Sequence, residues 1–467
     1  MQAETARRIT PVDAEIQSVV ESLYAFESIA RQDIVTRGNL FTIFCHDLII
    51  HFSGILIQRA APLCQTDLAI FPYVNCQYAR KPGRIDLTLG DRPGTVRNLK
   101  GLFHAMRLLR VARGEAIPFG YKQRPWLSRG INALTEYQVQ ALVFVQQMKK
   151  QKEMLREFVD QVCVQHSICG RDVIMQNWND YLNVHCTERL IPTKNRLLII
   201  GNRQNLQNRK LAHNFMEQGK EVIAFTHGEI ASTIFTEPMY RYAEKGVCTS
   251  LVEYGEPEAT PENEESAMLA PVNTLYRNST MAQKTYRRSD QIFAKKEVDQ
   301  KLLYIPTTYV GSHIYGPHHA YPDNVYAEWH AAIQKMIPSI VFKKHPKSRG
   351  PYALPGRLEE RWLDDCIEEY DCYVLDYLAT SAVRAMLTSK PILYFDIGLR
   401  PVTDQFLATL KERCFYWKIN INANLNEQVE AAIMEFSRGI HCGSNLNIAK
   451  YCLCKKETFS WRQSLLQ

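Results

Sequence analysis

The feature that most limits what this chain can fold into is a repeated alternation of short apolar runs with helical periods. LLIIG, from Leu197 to Gly201, is followed by NRQNLQNRKLAHNFMEQG, which reads as a helix closed by Gly219, and then by EVIAFTHGE, from Glu221 to Glu229. Strand, helix and strand at this spacing form a βαβ unit, and a crossover of that length makes the two strands parallel. The pattern returns further on. KLLYIP opens at Lys301, a helix spans Val325 to Met336 with Trp329 and Ile333 on its apolar side, and a β-branched and aromatic run covers Ser339 to Phe342. A strand from Tyr373 to Leu378, a helix in which Val383, Met386 and Leu387 share a face, and a strand from Pro391 to Ile397 continue it. Two Rossmann-like α/β units are expected, residues 191–295 and 296–440, followed by a tail of residues 441–467.

Open parallel sheets bind ligands beyond the carboxyl ends of their strands, so the residues standing there are the candidates for function. The Ser339 run stops at Lys343-Lys344-His345-Pro346, which brings two ammonium groups and an imidazole to such an end. Ala379-Thr380-Ser381 opens the helix after the Tyr373 strand. Free backbone N–H groups, the positive end of the helix dipole and two hydroxyls suit that position to phosphate oxygens. His227, Gly228 and Glu229 stand at the end of the Glu221 run. Thr307 and Thr308 end the Lys301 strand, where nucleotide contacts and turn or capping roles fit equally well. A nucleotide-dependent transferase with its cleft between two units accounts for all four ends. No pair of aspartates placed for a divalent cation stands at a strand end, because Asp364-Asp365 falls in the helical run ERWLDDCIEEY. Lysine, histidine and a helix start are therefore expected to balance the phosphate charge, with no metal and no cofactor beyond the activated donor.

The remainder of the chain is less specific. At 467 residues it exceeds one hydrophobic core, and a hydrophobic fraction of 46% excludes disorder throughout. Residues 1–190 read as mainly helical, with amphipathic helices over Ala14 to Ala30 and Asn132 to Val164, a buried helix over Leu40 to Ile57, and TDLAIFPYV as the one strand candidate. Asp47 and His51 share a face of the second of these, where a buried structural pair is the simpler reading than an oriented imidazole. Between Arg80 and Arg129 twelve Lys or Arg residues face only Asp86, Asp91 and Glu115. Arg97, Lys100, Arg107, Arg110 and Arg113 surround an apolar helical stripe there; a solvated face, a peripheral contact with the inner face of a membrane, and guidance of an anionic acceptor are the three readings. Aromatic residues are not interleaved with these bases, which argues against nucleic acid as partner. Glu253 to Ser266, with six Glu and two Pro, reads as an exposed loop or lid. Thirteen cysteines without a repeating spacing, and no apolar leader before Arg37, fit a reducing cytoplasm. The His441-Cys442, Cys452 and Cys454 group matches no zinc spacing.

Three of these motifs, in this order, carry a resemblance. His227-Gly228 after an apolar strand, K-x-H-P from Lys343 to Pro346, and D-x-x-A-T-S-A from Asp376 to Ala382 followed by KPILYFD, together resemble the GT-B-fold transferases of bacterial surface polysaccharides. Similar patterns occur in CDP-glycerol glycerophosphotransferases of teichoic acid synthesis, in capsule Kdo transferases and in bacterial sialyl- and polysialyltransferases. The likeness covers roughly residues 195–440. It departs from the teichoic acid enzymes at Thr226, where they have an aromatic residue, and at LDYLATSA, where they have T-D-Y-S-S; the acidic triplet of the sialyltransferases is missing. The resemblance implies a GT-B-like fold and a nucleotide-activated donor used on a glycan or lipid-linked acceptor. It implies that Lys343 and His345 contact the donor phosphate, that Thr380 and Ser381 hold it, and that His227 is the general base, with Glu229 as a competing base. A CDP-alditol phosphotransferase is the nearest alternative within the enzymes, a sugar-nucleotide 2-epimerase a second, and a non-catalytic basic binding protein the alternative outside them.

Overall fold

The computed structural model describes residues 48, 52, 116–119, 149–168, 170–185, 195–201, 206–230, 244–259, 272–288, 301–307, 323–345, 353–399, 402–438 and 443–460. Within them the chain is an α/β protein built on two separate sheets, both entirely parallel.

The first sheet contains β1 (Ala116–Phe119), and two helices follow it, α1 (Lys149–Gln165) and α2 (Arg171–His185). These pack through buried Leu155, Phe158, Val162, Ile174 and Trp178, and the turn between them is pinned by Arg171 donating to both carboxylate oxygens of Asp160 at 2.6 and 2.8 Å. The expected βαβ unit comes next as β2 (Leu197–Ile200), α3 (Leu206–Glu217) and β3 (Glu221–Phe225). Gly219 sits at φ +66° just past the helix, the left-handed conformation that ends helices without a Cβ penalty. Then come β4 (Ser250–Tyr254), β5 (Asn273–Arg277) and α4 (Thr280–Arg288), and the strand order is β1-β2-β3-β4-β5. Alternate side chains of the strands feed two cores: Leu198, Ile200, Val222 and Ala224 pack on Leu211 and Phe215 of α3, while Ile199, Ile223 and Phe225 face Phe459 on the other side.

The second sheet runs β6 (Leu302–Ile305), α5 (Asp323–Met336), β7 (Val341–Lys343), β8 (Arg357–Glu359), β9 (Cys372–Leu375), α6 (Thr380–Met386), β10 (Ile392–Asp396), α7 (Asp404–Arg413), β11 (Phe415–Lys418) and α8 (Leu425–Arg438). Its order, β11-β10-β9-β6-β7-β8, places the first strand of the unit in the middle and winds outward from it in both directions. This is the doubly wound order of nucleotide-binding sheets, with a switch point between β6 and β9. Helices cover both faces. Leu303, Tyr373, Leu375 and Ile392 pack on Val383 and Met386 of α6 and Phe406 of α7, whereas Tyr304, Phe342, Val374 and Phe395 pack on Trp329 and Ile333 of α5 and Val429 of α8. Burial on both faces explains why these strands are continuous apolar runs. Arg413, fully buried, donates to the carbonyls of Met386, Thr388 and Lys390 at 2.7, 2.7 and 2.8 Å, and so closes the carboxyl end of α6.

Two readings of the sequence need correction. The acidic stretch taken to begin an exposed loop at Glu253 begins inside β4, where Glu253 and Tyr254 are buried; its exposed part starts at Pro257 and Glu258. The first 190 residues also contribute a strand, since β1 pairs in register with β2 from Ala116–Leu197 to Phe119–Ile200. The helices expected over Ala14 to Ala30 and Leu40 to Ile57, the basic Arg97 to Arg113 helix, and TDLAIFPYV lie outside the described residues except for helical Leu48 and Phe52. No described helix is long and apolar enough to cross a membrane.

The last described residues tie the far end of the chain to the first sheet. The Cys452 and Lys450 carbonyls accept from Ser279 N–H and Glu256 N–H at 2.9 and 2.7 Å, and the Tyr276 carbonyl accepts from Thr458 N–H at 2.9 Å. Phe459 then meets Phe225 edge-on at 5.1 Å, with the Arg277 guanidinium over both rings. Cys452 and Cys454 are buried free thiols in this tail, and burial pushes the Cys454 pKa up to about 11.

Candidate functional site

The switch point between β6 and β9 is bounded by Thr307, two residues past the end of β6, and Asp376, one residue past the end of β9. Asp376 is fully buried and accepts three hydrogen bonds: from the Tyr304 hydroxyl, from Trp329 Nε1 at 2.9 Å and from Thr307 N–H at 2.7 Å. Burial raises its pKa to about 6, and the three donors pull the other way. His330 lies 3.9 Å from the same carboxylate, and burial lowers its pKa to about 3, so at neutral pH it is an uncharged neighbour. Thr307 is 1% exposed, yet its Oγ1 has no hydrogen-bond partner among the described residues. Thr308 lies outside them.

After β9 the chain turns through Ala379, whose extended backbone (φ −153°, ψ 179°) starts α6 without a side-chain cap. Thr380 is exposed and Ser381 half-buried, so both hydroxyls stand at the carboxyl edge of the sheet beside the switch point. On the other side of β6, the β7 end divides the expected basic cluster. Lys343 is buried within the strand, and its Nζ donates to the Lys344 carbonyl at 3.0 Å and the Glu359 carbonyl at 3.3 Å, fastening β7 to the edge strand β8. Burial lowers the pKa of Lys343. Lys344 points to the surface and pairs with Glu360 at 2.8 Å, while His345 is exposed at the strand end. With neighbouring strands about 4.8 Å apart, the ends of β7 and β9 are about 10 Å apart, and Thr307 stands between them.

The β3 end reaches the same region from the first sheet. A Cβ built on Gly228 would lie 2.9 Å from Thr380 Oγ1, so the His227-Gly228 turn lies close to the start of α6, and a larger residue at 228 would make the Thr380 side chain move. His227 is exposed beside it. Glu229 turns inward: 7% exposed, its Oε1 accepts from Arg384 Nη2 of α6 at 2.6 Å and from Ser279 Oγ at the head of α4 at 2.8 Å. Ile230 continues into the apolar core of the second unit. Arg384 also approaches Asp364 at 3.7 Å.

Sequence reasoning overlooked the roles of Asp376 and Arg384. Both were visible in part, Asp376 as the first residue of D-x-x-A-T-S-A and Arg384 four residues after Thr380 on the same helix face. A pocket of about 210 Å³, lined by Met281, Lys284, Asp364, Glu368 and Lys390 among others, adjoins the Arg384–Glu229 pair through Asp364 and reaches Thr388 to Lys390, which lead into the amino end of β10. Among the described residues no three His, Cys, Asp or Glu side chains are grouped to hold a metal ion. Fold and strand ends together define a two-sheet parallel α/β protein with polar side chains at the strand ends beside a topological switch point. Neither protein-family models nor curated protein sequences give any match to the chain.

Proposed function

We propose that the chain is an inverting, metal-independent glycosyltransferase that moves a sugar from an activated nucleotide to a glycan or lipid-linked acceptor of a bacterial surface polysaccharide. The observation that supports this reading is the close approach of Gly228 to Thr380, which brings the turn that carries the exposed His227 against the start of α6. Such a transfer must deprotonate an acceptor hydroxyl while negative charge develops on the departing phosphate. An imidazole, with an ordinary pKa near neutrality, suits the first task, and fixed donors close by suit the second.

In this reading His227 takes the proton of the acceptor hydroxyl as its oxygen attacks the anomeric carbon. Thr307, Thr380, Ser381 and His345, at the carboxyl ends of β6, β9 and β7, hold the nucleotide whose phosphate leaves. Glu229, already bound to Arg384 and Ser279, keeps the His227 turn in place.

Thermal-shift measurements with CMP, CDP, UDP and GDP, repeated on His345→Ala, test the assignment. One nucleotide should raise the melting temperature of the parent protein and lose that effect in the variant. Indifference to all four would remove the basis for a nucleotide-dependent transferase. Analysis of the product then separates a glycosidic bond from the phosphodiester of a CDP-alditol phosphotransferase, and full turnover in EDTA is expected; loss restored by magnesium would refute the metal-free mechanism.

A further inference from the structure

Three hydrogen-bond donors from two elements meet on the two oxygens of one buried carboxylate at the switch point. Trp329 belongs to α5 and Tyr304 to β6, while the third donor is the backbone N–H of Thr307, just beyond the end of β6. The Trp329 Nε1 donor is shared, because it also reaches the Tyr304 hydroxyl oxygen at 2.8 Å. Only a carboxylate can serve this arrangement: an amide in either orientation would aim its NH2 at a donor. The strand end is thus locked at the backbone of Thr307, while the side chain of the same residue is left with a buried hydroxyl that no described group engages. Leaving such a hydroxyl unmet costs stability, and a methyl group of the same shape would avoid the cost. A threonine there, at the edge where a doubly wound sheet takes its ligand, is explained by a partner outside the fold.

We propose that Asp376 is the positioning residue of the nucleotide crevice: by fixing the Thr307 backbone it presents the Thr307 hydroxyl to a phosphate oxygen of the bound nucleotide. This inference rests on the function proposed above and adds to it the residue that organises the donor site. Asp376 itself touches no ligand. It acts through Thr307, and the consequence is thermodynamic coupling between the two residues in binding but not in folding.

The test uses the full chain and whichever of CMP, CDP, UDP or GDP stabilises it. Thr307→Val removes the hydroxyl and keeps the N–H bonded to Asp376. It should melt at or above the parent temperature yet bind the nucleotide about tenfold or more weakly by calorimetry, and Thr307→Ser should restore binding. Asp376→Asn should weaken binding in the parent background and add nothing in the Thr307→Val background, a non-additivity that a merely structural role does not produce. Should Asp376→Asn fail to fold, the Val and Ser pair decides alone. Unchanged affinity in Thr307→Val, or a lower melting temperature with affinity intact, overturns the inference while leaving the proposed function standing. Failure of every nucleotide to bind the parent overturns both.

Discussion

Removing the Arg384 guanidinium should cost the protein about as much as a large-to-small apolar truncation at the seam between its two sheets. Arg384→Met keeps most of the aliphatic volume and deletes the guanidinium, so Glu229 is left buried with only the Ser279 hydroxyl as partner. Breaking one side of a buried ion pair costs about 3 to 5 kcal/mol, and the surviving hydroxyl bond places this case at about 3. The Asp364 contact adds little, being 3.7 Å long with a carboxylate 41% exposed. Glu229→Gln with Arg384→Met removes both charges and keeps an acceptor for Ser279, so the double variant should recover at least half of the loss. Because Glu229 follows β3 and Arg384 lies in α6, the pair joins the two units. Its loss should also split urea unfolding, followed by far-UV circular dichroism and by tryptophan fluorescence, into two transitions, where a single transition is expected of the parent. An Arg384→Met midpoint equivalent to less than about 0.5 kcal/mol from the parent, with a single transition, would refute the seam as a structural bond.

His213 of α3 is buried and its pKa is lowered by burial to about 4, against 6.5 when exposed. The unfolded chain therefore takes up a proton that the folded one refuses, and about 3 kcal/mol of stability should be lost as pH falls from 6.5 to 4; His213→Gln should flatten that limb of a pH series of urea melts, and an unchanged limb would exclude it as the cause. Lys343→Met should lower stability by about 1 to 3 kcal/mol through loss of the bonds to the Lys344 and Glu359 carbonyls and leave nucleotide affinity within twofold of the parent. A tenfold loss of affinity with stability intact would return Lys343 to the donor site.

Where periodicity was strong, the sequence was a reliable guide. β2, α3 and β3 were legible because an apolar run, a helical period ending in Gly219 and a second apolar run leave one arrangement that buries them all. β4 was not, because its five residues SLVEY, buried throughout, include a glutamate and run straight into an acidic stretch. Nor was β11, whose FYWK is aromatic on both faces and only half-buried. The doubly wound order itself needs pairing information that no single strand contains: β6 lies between β7 and β9 although thirty residues or more separate it from either.

The site shows a finer limit. A charged residue at a strand end can serve a ligand or the fold, and which it does is decided by where its side chain turns once the ladder ends. Lys343 and His345 stand two apart, yet the first still belongs to the ladder and turns to carbonyls of its own sheet, while the second has left it and faces solvent. The same division separates His227 from Glu229, with Gly228 between them in contact with α6. Of the charged groups at these two ends, two turn inward, Lys343 to the carbonyls of Lys344 and Glu359 and Glu229 to Arg384 and Ser279, while His227 and His345 are exposed. Asp376 extends that logic to β9, where a fully buried carboxylate accepts from the Thr307 N–H just past the end of the neighbouring strand.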